Sequence, residues 1–142
     1  DLESRVAEIT AASTEAAAAL KAAERRLAEM AVLIKDVTTC KELRPLVQEY
    51  QRVADKKQFR RKHEGALILY EAAAKALKEQ SFQKLPDLYA LKDEHKLLAE
   101  QKDQLQRQYA EAKRQMQEYG IIKQNVDGIL RTTPGKEQVQ ER

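Results

Sequence analysis

Residues 2–35 read LESRVAEITAASTEAAAALKAAERRLAEMAVLIK. Apolar or small residues recur through that stretch in alternating steps of three and four: Leu2, Val6, Ile9, Ser13, Ala16, Leu20, Ala23, Leu27, Met30 and Ile34. Such a spacing draws a seam along one side of a helix, and a seam sustained this long requires a partner helix along its whole length. The small residues at 13, 16 and 23 let that partner approach closely. Neither Gly nor Pro interrupts residues 1–35, so the pattern predicts one helix over about 1–35, roughly 50 Å long at 1.5 Å per residue. Its expected end is the polar, β-branched DVTT at 36–39.

Three further helices follow from similar signals. One is expected over about 41–55, where Thr39 and Glu42 have capping-box spacing and Pro45 suits a first turn. Another covers about 60–80, with Ala66, Leu67, Leu69, Tyr70, Ala73, Ala74 and Leu77 as its apolar stripe. After the connector SFQKLP, Pro86 and Asp87 make a suitable helix start. The last helix then runs over about 86–131. Leu91, Leu98, Leu105, Ala112, Tyr119 and Val126 recur every seven residues along it, beside a partly polar column that includes His95, Lys102 and Tyr109. Gly120 is its expected bend, and residues 132–142 form a polar tail expected to be disordered.

The fold expected is all-α: two long helices paired as an elongated antiparallel coiled-coil hairpin, with a small two-helix head, in one helical domain over 1–131. Pairing of the same seams with a second chain is the competing arrangement. Composition agrees with the fold class. The chain has 142 residues, 35% charged and only 5% aromatic, with four Gly and no Trp. That is the make-up of long helices, with a thin core and little room for a closed pocket. No apolar run is long enough for a membrane span, and no small-molecule substrate is expected. The lone Cys40 has no disulfide partner within the chain, which suits a reducing cytoplasm. The chain starts at Asp1 and its first methionine is Met30, so a piece of a longer protein is expected.

Catalytic signatures are missing. His63 and His95 belong to no metal-ligand spacing, and there is no phosphate-cradling glycine loop and no nucleophile elbow. No catalytic residue, metal ligand or cofactor is therefore assigned. The five tyrosines, at 50, 70, 89, 109 and 119, fall mostly on apolar helix positions and read as core and seam residues.

Charge is the most informative functional feature. The net charge of +3 is concentrated in residues 36–85, which hold eleven bases against seven acids. Five of those bases, Lys56, Lys57, Arg60, Arg61 and Lys62, fall within seven residues. Such a cluster can neutralise phosphates without sequence preference, and it can equally be the solvated corner of a helix. Only Phe59 interleaves it, so single-strand stacking has little support.

The stretch EYQRVADKKQFRRKHEGALILYEAAAKALKE (49–79), followed by KLPDLYALKDEHKLLAEQKDQLQRQYAEAKRQMQEYGIIKQNVDGIL (84–130), resembles the C-terminal region of relaxase/mobilisation nucleases. These serve bacterial conjugative transposons and mobilisable plasmids. The landmarks are Tyr50, Lys56–Phe59, His63–Glu64, Ala72–Leu77, Lys84–Pro86 and Asn125–Leu130, and the similarity covers about 20–131. What the resemblance implies is a parent enzyme of the bacterial cytoplasm that nicks one DNA strand through a tyrosine in a separate N-terminal domain with a histidine metal site. This chain lacks that motif, so the resemblance implies a non-catalytic accessory domain. Its expected partners are DNA, proteins of the conjugation machinery, or a second copy of the chain.

Overall fold

The computed structural model describes residues 1–82 and 84–120. Four α-helices and no strand occur among them: α1 (Leu2–Arg52), α2 (Lys56–Lys62), α3 (Glu64–Glu79) and α4 (Leu88–Glu118). The all-helical expectation holds.

The break expected at 36–39 is absent: the separate helices anticipated over 1–35 and 41–55 are one continuous α1. Val37 is fully buried and Cys40 almost so, both packed with Leu33 against Ala73, Leu77 and Leu91. The β-branched residues at 37–39 each forfeit less than about 0.7 kcal/mol of helix propensity. Burying one valine returns about 1.5–3 kcal/mol, so packing overrides local preference. Pro45 lies inside α1, not in a first turn. It cannot donate to the carbonyl of Lys41, but Lys41 is exposed and water can take that carbonyl.

The chain forms two compact units. One comprises, among the described residues, Asp1–Leu27 and the chain from Leu97 to Gly120. Its buried residues include Ile9, Ser13, Ala17 and Ala23 of α1 with Ala112 and Met116 of α4. At its edge Arg5 meets Tyr119, a contact that holds the guanidinium above the usual arginine value; Glu8, 3.3 Å from Arg5, adds to the effect. The other unit is Ala28–Lys96. Its core gathers Leu33, Val37 and Cys40 of α1, Ala73 and Leu77 of α3, and Leu91 of α4, with Tyr70, Leu85 and Leu88 packed around them.

Helix ends follow local chemistry. Asp87 sits just before α4, where its carboxylate accepts from the Tyr89 N–H at 3.0 Å, leaving Pro86 two residues before the helix. At the end of α3, the Ser81 N–H donates to the Lys78 carbonyl at 2.9 Å and the Phe82 N–H to the Leu77 carbonyl at 3.2 Å. That is the paired bonding of a Schellman cap, and it holds Ser81 at φ +68°. α4 ends at Glu118, and Gly120 takes φ +70° in the turn that follows. The expected continuation of this helix to 131, with the tail 132–142, lies outside the described residues. Of the five tyrosines, Tyr89 departs from the seam reading, being 82% exposed.

Candidate nucleic-acid interface: the cationic helix

The basic cluster is a seven-residue helix of its own, α2, and not the first turn of a helix beginning at 60. Asp55 starts it earlier than expected by capping: its carboxylate accepts from the Gln58 N–H at 3.0 Å. His63, at φ −122° and ψ 27°, closes α2 and opens α3. A single non-helical residue thus turns the chain.

That turn decides the fate of Arg60. Its guanidinium donates to both carboxylate oxygens of Glu71, at 2.8 and 2.9 Å, and lies 3.8 Å from Glu64. Eleven residues along one straight helix would separate Arg60 and Glu71 by about 16 Å, so the contact exists only because α2 and α3 are not collinear. Glu71, and after it the Tyr50 hydroxyl, hold Arg60 well above the usual arginine value. Arg60 in turn holds the Glu71 carboxyl below the usual carboxylate range.

An aromatic column reinforces the junction. The Tyr50 and Phe59 rings stack with centroids 5.7 Å apart, and Phe59 lies 4.4 Å from the His63 ring. α2 is thereby fastened both to the end of α1 and to its own C-terminus. Lys56 is also engaged, its ammonium donating to the carbonyls of Gln51 at 3.3 Å and Val53 at 3.0 Å. These are carbonyls at the end of α1, where a cation is favoured.

The five expected phosphate ligands therefore divide. Lys56 and Arg60 serve the internal structure. Lys57, Arg61 and Lys62 are exposed and have no hydrogen-bonding or ionic partner among the described residues. Lys57 and Arg61, four apart, share one face of α2. Reading the sequence alone missed the Tyr50–Phe59–His63 column and the Arg60–Glu71 pair. The spacing of aromatic residues at 59 and 63, one helical turn apart, was the available signal for the first; the second has no local signature.

Among the described residues no three His, Cys, Asp or Glu side chains gather as metal ligands would, and no helix is long and apolar enough to cross a membrane. Burial pushes the Cys40 thiol above its ordinary value, which favours the neutral form over a nucleophilic thiolate. His95 is half-buried on α4. No protein-family model matches the chain, and neither a curated protein nor a solved structure matches it significantly.

Proposed function

We propose that this chain is a non-catalytic helical accessory domain of a DNA-mobilisation relaxase, with α1 and α4 paired as an antiparallel coiled-coil hairpin and α2 contacting the phosphate backbone of DNA. The relaxase assignment rests on the sequence resemblance. The nucleic-acid role rests on one observation: α2 is fastened at both ends and carries Lys57, Arg61 and Lys62 exposed and without carboxylate partners. Fixed, unpaired cations on a helix are suited to phosphate oxygens, and three of them imply weak, sequence-independent binding. Lys56 and Arg60, already engaged, add little.

Fluorescence anisotropy with a duplex across a salt series tests the reading. Three neutralised phosphates predict that log K falls with log salt at a slope of about −2.7, whereas five would give about −4.5. Reversing the three free cations together (K57E/R61E/K62E) abolishes the binding. A slope near zero, or a triple variant that binds as the wild type does, overturns the proposal.

A protein-interaction arm is the second reading, favoured by the apolar residues left uncovered on α3, Ile68 at 48% and Leu69 at 62% exposure. Under that reading, light scattering finds a dimer that Ile68→Ser and Leu69→Ser dissolve, and DNA binding is absent.

A further inference from the structure

A pocket of about 530 Å³ opens in the Ala28–Lys96 unit, and none of the α2 cations lines it. Its wall comes from three places: Cys40 and Arg44 of α1; Tyr70, Ala74, Leu77 and Lys78 of α3; and Phe82, Lys84 and Leu85 of the connector. The volume lies within the range of small-molecule sites.

The lining has a clear division of chemistry. Cys40, Ala74 and Leu77 are apolar or neutral and belong to the packed core, or border it, so the floor is set by rigid helices. Positions 70, 74 and 77 fall on one face of α3, one turn apart. Phe82 is held at the mouth by its backbone bond to Leu77, part of the cap that ends α3. Arg44, Lys78 and Lys84 stand around this floor, all exposed. Among the described residues no carboxylate belongs to the lining, and none of the three cations has an ionic partner. Asp36, one turn before Cys40, lies outside the lining. The Tyr70 hydroxyl supplies a neutral donor in the same wall.

An apolar floor with an all-cationic rim is complementary to one kind of small molecule, an apolar chain that ends in an anion. Burial of the chain supplies affinity, and the rim charges select the sign of the head group. We propose that this pocket binds a medium-length acyl chain carrying a terminal carboxylate. The composition pointed away from any small-molecule ligand. The site arises only when the end of α3, the connector and the middle of α1 are brought together. It is independent of the DNA-contacting role of α2.

Titration calorimetry on the full chain tests this with two amphiphiles of equal tail length, decanoate and decyltrimethylammonium, both kept below micelle-forming concentrations. Decanoate is expected to bind saturably at one site and at least tenfold more tightly than the cation. Neutralising the rim (R44Q/K78Q/K84Q) lowers decanoate affinity about tenfold while the circular dichroism spectrum is unchanged, because all three side chains are exposed. Filling the floor with Ala74→Phe lowers it at least as much. A peptide ending in Leu-Leu with a free C-terminal carboxylate is measured alongside. Equal affinity for the two amphiphiles, a rim variant that binds as the wild type does, or tighter binding of the peptide than of decanoate each overturns the assignment. The rim variant leaves Lys57, Arg61 and Lys62 untouched, so loss of decanoate binding with DNA binding retained separates the two sites.

Discussion

Ser13 is only 1% exposed, and its hydroxyl has no hydrogen-bond partner among the described residues. A buried hydroxyl without a partner costs about 1–3 kcal/mol relative to a satisfied or absent one. Alanine also has the better helix propensity. Ser13→Ala is therefore expected to stabilise the protein by about 1–2 kcal/mol, read as a higher urea midpoint at unchanged slope; an unchanged or lower midpoint would show that the hydroxyl is satisfied. Glu71 illustrates the opposite situation, an exposed acid that is well paired. Its folded-state pKa lies below the usual carboxylate value because of Arg60. The resulting stability is present above that usual value and is lost as pH falls through the depressed one. Glu71→Gln should accordingly melt below the wild type at neutral pH, and the gap should close as pH falls through the depressed value. A gap that is constant with pH would mean that the pair contributes nothing through its charge.

At the scale of the helix, endings are where the chain is least comfortable. Ser81 adopts a left-handed conformation at the end of α3, with φ +68°. A residue with a Cβ gives up roughly 1–2 kcal/mol there compared with glycine, part of which glycine returns through its looser unfolded state. Ser81→Gly should raise stability by about 0.5–1 kcal/mol, checked by thermal melts. Lower stability would place the value of Ser81 in its side chain and not in its backbone. The seams were legible from sequence because a heptad pattern carries its own partner requirement. Every position of the α1 seam from Val6 to Ile34 is at least half-buried, and Leu2 alone is 70% exposed. The continuity of α1 through residues 36–45 was not legible. Local propensity argues against it, and the deciding contacts come from Leu77 and Leu91, far along the chain.

For the molecule as a whole, the same division holds for the sites. The count of five cations was plain in the sequence, but their availability was not, because Arg60 meets Glu71 only across the turn at His63. The acyl pocket was less legible still, since its cations sit at 44, 78 and 84 and form no local cluster. The chain passes from one compact unit to the other between Leu27 and Ala28 and between Lys96 and Leu97, and both positions are helical, inside α1 and α4. Neither offers a protease the extended backbone it needs. A tryptic cut after Lys84, in the non-helical stretch after α3, separates α1 to α3 from α4 and so divides the Ala28–Lys96 unit.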